Sequence, residues 1–337
     1  MISKEILKKY DTKNMHLVYE EWPEMAKNAF EDKYEKYQSD QIDHIVFSGM
    51  GGSGTLGDIF AAILSKTKIH VSVVKGYLLP KTAGKNTLVV CTSISGNTIE
   101  TLTVLNLAKK NNCKILAFSS GGKMEEYCKS NQIEFRKINQ THSPRASFPT
   151  FLYSMLNILE YVLPLKKEDI FESINLLKKL KVEISNNNLT EKNPAINLAE
   201  WITEIPIIYY PWGLQAAAIR YKNALQENTK MHVITEDVIE ACHNEIVSWE
   251  KQKKFKPILI EGSDDYEKTK ERWEIVREYF MKNNIDFKTI NTVNGNILSK
   301  LINLIYLFDY SSIYSAVKLE IDPSPVNSID YIKSKLD

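Results

Sequence analysis

Apolar and polar positions change period repeatedly along the first half of the chain. QIDHIVFSG (41–49) is a short run centred on the consecutive apolar residues Ile45, Val46 and Phe47. It is followed by TLGDIFAAILSK (55–66), where Ile59, Ile63 and Leu64 recur on one helical face. IHVSVVKG (69–76) and NTLVVCTS (86–93) then predict strands, NTIETLTVLNLAKKNN (97–112) a helix, and KILAFSS (114–120) a strand. GKMEEYCKSNQ (122–132) and IEFRKI (133–138) predict one more helix and strand. Apolar strands separated by helices indicate a parallel sheet covered on both faces.

From Phe148 to about Ser185 the pattern is helical, and these segments are read as connectors. A second alternating unit follows, with strands at IPIIYYP (205–211), KPILIEG (256–262) and IDFKTINT (285–292) around a charged helix at 264–284. Residues 297–319, ILSKLINLIYLFDYSSIYSAVKL, are apolar on too many sides for a surface helix and are expected to be buried. PVNSIDYIKSKL (325–336) predicts a terminal helix. The expected architecture is therefore α/β, with an N-terminal domain at 1–152 that binds ligand. Residues 153–337 are expected to form connecting helices and a second, similar domain carrying the chemistry.

The chain's 337 residues suffice for two domains. A net charge of +1 supplies no basic field for nucleic acid. The four cysteines, Cys91, Cys113, Cys128 and Cys242, form no C-x-x-C pair, which argues for reduced thiols in a cytoplasmic setting and against structural zinc. The six histidines lack metal-binding spacing, so neither a metal nor another cofactor is expected. The start, MISKEILKKYDTKN, has no signal-peptide core, and no apolar window is long enough to span a membrane.

Candidate chemistry concentrates in two strand-to-helix junctions, FSGMGGSGTLGD (47–58) and CTSISGNTIETL (91–102). Five of the 13 glycines lie from Gly49 to Gly57, so the backbone there is built for close approach. The second junction offers hydroxyls at Thr92, Ser93, Ser95, Thr98 and Thr101. Such junctions bind anions, because unsatisfied N–H groups and the helix dipole converge there. Residues 49–54 also fit G-x-G-x-x-G, but a dinucleotide site needs an acidic residue about 20 positions on. The next strand ends at Lys75, and no Asp or Glu lies between Asp58 and Glu100. A nucleotide P-loop would need Gly-Lys-Ser/Thr, which is absent. A ligand-free tight turn would leave the second hydroxyl loop unexplained. A sugar phosphate fits both.

These two loops resemble the phosphate loops of sugar isomerase (SIS) domains. RYKNALQENTK (220–230), ACHNEIVSWE (241–250), SPRASFP (143–149) and DPSPVNSIDYIKSKL (322–336) extend the likeness to one branch, the bifunctional phosphoglucose/phosphomannose isomerases, from roughly Ile45 to Leu336. The resemblance implies two flavodoxin-like SIS subdomains. It also implies interconversion of glucose 6-phosphate, and of mannose 6-phosphate, with fructose 6-phosphate through ring opening and a cis-enediolate. By the same resemblance Glu227 is the C2 base, His243 the ring-opening residue, and Arg145 the group facing the enediolate. Lys333, with Lys335 two positions away, matches a C-terminal lysine near the sugar oxygens. Phosphate binding carries over to Gly52, Ser53, Ser93, Ser95 and Thr98. A homodimer in which His243 enters the partner's site is implied as well.

Glu227 has mostly neutral neighbours, and burial would raise its pKa toward a useful value. Ser324 stands where the family commonly has threonine, at a position linked to mannose 6-phosphate use. It keeps the hydroxyl and drops a methyl. The alternatives are a non-catalytic SIS sugar-phosphate sensor and another SIS isomerase, one acting on amino sugars. The first normally carries a helix-turn-helix with a basic recognition segment, and the second a glutaminase half with an N-terminal cysteine; neither feature is present.

Overall fold

The computed structural model describes residues 2–251 and 254–336. The chain opens with α1 (Lys4–Tyr10), α2 (Met15–Glu20) and α3 (Trp22–Glu31). Alternation then begins with β1 (His44–Ser48), α4 (Gly52–Leu64), β2 (His70–Val74), β3 (Thr87–Thr92) and α5 (Ile99–Lys110). It continues through β4 (Lys114–Ser119), α6 (Gly122–Ser130) and β5 (Glu134–Lys137). Three helices follow: α7 (Phe148–Ile158), α8 (Lys167–Ile184) and α9 (Pro194–Trp201). The second alternating stretch comprises β6 (Ile205–Tyr210), α10 (Gln215–Thr229), β7 (Ile234–Asp237) and α11 (Val238–Ala241). A 3₁₀ turn (Glu245–Glu250), β8 (Phe255–Glu261), α12 (Glu267–Lys282), β9 (Lys288–Asn291), α13 (Ile297–Lys318) and α14 (Asn327–Lys333) complete it.

Each alternating stretch makes its own sheet. The first runs β2-β1-β3-β4-β5 and the second β7-β6-β8-β9. All strand pairs in both are parallel. The order reverses beside β1 in one sheet and beside β6 in the other, and the first has the flavodoxin-like order 2-1-3-4-5. β1 and β3 are buried at every position, as continuous apolar runs demand when both faces are covered. β7 escapes the sequence pattern because ITED carries a single apolar residue at an edge of the sheet.

The chain divides into two compact units, Glu21–Asn175 and a second made of the residues up to Glu20 with those from Leu176 on. This division differs from the boundary expected between residues 152 and 153. α7 is buried at every position but Thr150 and belongs with the first sheet, where the Trp22 indole packs on Phe148 at 6.2 Å. α1 and α2 belong with the second, where Tyr306 and Tyr310 of α13 donate hydrogen bonds to the α2 carbonyls of Tyr19 (2.8 Å) and His16 (3.1 Å). Helical periodicity registers that a face is buried, not which sheet buries it. α13 is buried along nearly its whole length, as its all-round apolar pattern predicts.

Candidate active site

The first junction turns from β1 into α4 with Gly51 at φ 52°. A Cβ on Gly54 would stand 2.9 Å from the Gly49 carbonyl oxygen and 3.1 Å from the Lys75 side chain, so only glycine allows the loop to close this tightly. The Ser53 N–H turns back onto the Met50 carbonyl at 3.0 Å, and Ser53 itself is buried. Lys75, at the carboxyl end of β2, pairs with Asp58 of α4 at 2.5 Å. Burial raises the Asp58 carboxyl above its ordinary pKa, and Lys75 opposes that shift.

The second junction is tied internally. The Ser93 hydroxyl is buried, donates to Thr98 Oγ1 at 2.9 Å and accepts from the Thr98 N–H at 3.4 Å. Ser95 Oγ accepts from the Asn97 N–H at 3.3 Å. Thr98 is the N-cap residue of α5, yet its side chain makes no cap bond. As acceptors in these bonds, the Ser95 and Thr98 hydroxyls still carry protons that can be aimed at an anion above the helix. Gly96 lies at φ 72°, and a Cβ there would meet the Gly121 carbonyl oxygen at 1.8 Å. The loop is therefore seated against the turn before α6.

Both junctions lie at the carboxyl ends of neighbouring strands, where ligands of open parallel sheets bind. Sequence reasoning passed over Ser48, the last residue of β1. Its hydroxyl is buried without a hydrogen-bond partner, and the same is true of Thr101 in the first turn of α5. Buried donors of this kind usually find partners, so these two hydroxyls are exceptions beside the junctions.

Arg145 follows β5, the neighbour of β4 at the edge of the first sheet, and is 9% exposed. Its loop is held from below. The Ser147 hydroxyl donates toward the Thr141 and Ser143 carbonyls and accepts from the Thr141 N–H, while Trp22 Nε1 donates to the Ala146 carbonyl at 2.9 Å.

In the second unit Glu227 is half-buried in the last turn of α10. The helix ends at Lys230, which takes the left-handed conformation (φ 62°) usually left to glycine. Its ammonium donates to the Glu227 carbonyl (2.5 Å) and the Pro325 carbonyl (2.8 Å). That bridge holds the segment containing Ser324 against the end of α10, a role no local pattern signalled. Further up the helix, Arg220 forms a buried bidentate pair with Asp309 of α13, both Nε contacts at 3.1 Å. Asn228 donates to Ser312 of α13 at 2.7 Å. Removing one member of such a pair costs ~3–5 kcal/mol, so α10 is locked in register.

His243 is exposed in the turn after α11, where its N–H donates to the Glu240 carbonyl at 2.9 Å. β7 ends beside the carboxyl end of β6, with Asp237 opposite Tyr210, so His243 lies at that end of the second sheet. α10 starts at the same end, and its 15 residues carry Glu227 about 18 Å away toward the amino ends of the strands. The structure thus joins Glu227 to the Ser324 segment and separates it from His243. Lys333 is exposed at the end of α14, which has no buried residue, and Lys335 lies over the Tyr331 ring at 5.7 Å. Among the described residues, no three histidine, cysteine or carboxylate groups gather as metal ligands, and no helix is long and apolar enough to cross a membrane.

Comparison with known proteins follows the same division. Residues 40–159 match the SIS domain and residues 191–336 the bacterial phospho-glucose isomerase C-terminal SIS domain. A bifunctional phosphoglucose/phosphomannose isomerase of Caldicellulosiruptor bescii is 31% identical over 331 residues, covering 93% of this chain and 96% of the relative. A D-glucosamine-6-phosphate 4-epimerase of Sulfolobus acidocaldarius is 28% identical over 255 residues, covering 73% of this chain and 77% of its own. The crystal structure of a hypothetical protein from Thermus thermophilus shares the fold with a TM-score of 0.74 at 12% identity, over 99% of this chain and 92% of that one. With paired parallel sheets, hydroxyl-lined junctions and a full-length relative in agreement, the chain belongs to the bifunctional phosphoglucose/phosphomannose isomerase family of SIS proteins.

Proposed function

We propose that this chain is an aldose–ketose isomerase interconverting glucose 6-phosphate, and mannose 6-phosphate, with fructose 6-phosphate. The observation that carries the reading is the pair of hydroxyl-bearing junctions at the carboxyl ends of β1 and β3, in a chain matched along its length by that family. Neutral hydroxyl and amide donors suit a phosphate dianion without a salt bridge. Gly52, Ser53, Ser93, Ser95 and Thr98 form this cradle, with Ser93 acting through its bond to Thr98.

Glu227 takes the C2 proton and returns it at C1. Glu227 is half-buried in the last turn of α10. His243 moves the proton between O5 and O1 that opens the ring, a task for a group that both donates and accepts near neutrality. Arg145 stabilises the enediolate with a charge that never titrates away, and Lys333 approaches the sugar oxygens. The protein works as a cytoplasmic homodimer in which His243 serves the partner's site. The support is internal to the second unit: Glu227 and His243 stand at opposite ends of one sheet, so a single copy of that unit does not bring them together.

Coupled assays with glucose 6-phosphate and mannose 6-phosphate test the reaction. Turnover of both is expected. C4 epimerisation of glucosamine 6-phosphate without aldose–ketose turnover would replace this reading with one closer to the Sulfolobus acidocaldarius relative.

A further inference from the structure

Glu245, two residues beyond His243, has a half-buried carboxylate with a defined task. Its Oε2 accepts from the Tyr209 hydroxyl at 2.5 Å, and its Oε1 accepts from Ser248 Oγ at 3.0 Å. Tyr209 oxygen in turn accepts from Trp249 Nε1 at 2.9 Å. Tyr209 and Trp249 are each 2% exposed and pack on Phe280 of α12, with ring centroids 6.2 and 5.2 Å away. Burial, then the neighbouring Glu245 carboxylate, pushes the Tyr209 hydroxyl far above its ordinary pKa, which keeps it a proton donor. A run of hydrogen bonds therefore leads from the aromatic core, through the carboxyl end of β6, to the segment bearing His243.

His243 is exposed, so its reach is set by its backbone. On one side that backbone hangs from α11, whose N-cap Asp237 accepts from the N–H groups of Ile239 (2.9 Å) and Glu240 (3.3 Å). On the other side Asn244 Nδ2 donates to Glu240 Oε1 at 2.8 Å, a bond within the same turn, and Glu245 ties the segment to the aromatic core. The bonds to the Glu245 carboxylate are charge-assisted, roughly twice as strong as neutral ones. A displacement of ~1 Å at a reacting group can cost ~100-fold in rate.

We propose that Glu245, held by Tyr209 and Trp249, is a positioning residue that sets where the His243 imidazole sits during ring opening. The inference rests on the ring-opening role given to His243. The network touches no substrate atom; it acts through the backbone between residues 243 and 245.

The test compares full-length Tyr209→Phe, Glu245→Ala and Glu245→Gln with His243→Ala and the parent protein. Two rates are measured by NMR: enzyme-catalysed exchange of the α and β anomers of glucose 6-phosphate, and solvent deuterium entry at C1 of fructose 6-phosphate. The first needs ring opening; the second also proceeds from the open-chain ketose. Tyr209→Phe and Glu245→Ala should slow anomer exchange by ~10–100-fold, and slow C1 exchange by clearly less. Glu245→Gln keeps the shape and an acceptor for Tyr209, so it should fold and recover part of the loss. Anomer exchange at the parent rate in folded Tyr209→Phe and Glu245→Gln, or equal losses in both rates, would overturn the inference. Normal anomer exchange in His243→Ala would instead overturn the role of His243, and the positioning role with it.

Discussion

The two sheets share a strand order and differ in which end carries the proposed chemistry. In the first, the glycine junction, the hydroxyl junction and Arg145 all follow strand carboxyl ends. In the second, only the His243 segment does; Glu227 lies at the far end of α10. The junction equivalent to GMGGSG in the second sheet is PWGLQ (211–215), with no double glycine and no hydroxyl. The comparison teaches that one α/β frame offers two kinds of position. Strand-to-helix junctions present backbone donors that hold an anion. A helix's last turn presents a single side chain whose orientation is set by the neighbouring helix, here through Arg220–Asp309 and Asn228–Ser312.

The largest expected effect falls on the far-end residue. Glu227→Gln keeps shape and removes basicity, so deuterium entry from solvent into fructose 6-phosphate should fall by ~100-fold or more while sugar-phosphate binding persists. Exchange near the parent rate would strip Glu227 of its role and the comparison of its sharpest contrast.

Next comes the separation of the two ends. Glu227→Gln and His243→Ala proteins, each inactive alone, are mixed so that subunits exchange. If sites are shared, half the dimers are mixed and each has one intact site of two, so roughly a quarter of parent activity should return. Demonstrated exchange without recovery would assign both residues to one chain's site.

The near end is probed by Ser95→Ala and Thr98→Ala. A hydrogen bond to a charged group contributes ~1.5–3 kcal/mol, so KM should rise by ~10-fold or more with a smaller change in kcat. Unchanged affinity for sugar phosphates in both variants would remove the phosphate from this junction.

The smallest effect is expected at Ser324, beside the end of α10. Ser324→Thr adds one methyl, and the ratio of mannose 6-phosphate to glucose 6-phosphate turnover should shift by about 10-fold, the lower end of what such a group discriminates. An unaltered ratio would separate Ser324 from the sugar pocket.

Much of this molecule is written locally. HIVFS, TLVVCT and KILAFS are strands because apolar runs of that length, closed by turn residues, have few other uses. The two junctions are legible because glycines and hydroxyls at a strand-to-helix step have a direct physical meaning, although Lys75 and Gly121, more than twenty positions away, complete their geometry. β7 was not legible, since four largely polar residues become a strand only when β6 supplies hydrogen bonds. The unit boundary was not legible either, because α2 joins the second unit through Tyr306 and Tyr310, nearly three hundred residues downstream.

The same limit applies to the site residues. Family resemblance named Glu227 and His243, but nothing in the chain's order says that sixteen positions carry them to opposite ends of one sheet. Lys230 bridging Glu227 to Pro325, and Tyr209 bonded to Glu245, are contacts between segments 95 and 36 residues apart. Residue type determines what a group can donate, accept or bury. Which groups meet is decided only when helices and strands pack, because that choice minimises buried unpaired polarity over the whole unit rather than along any stretch of it.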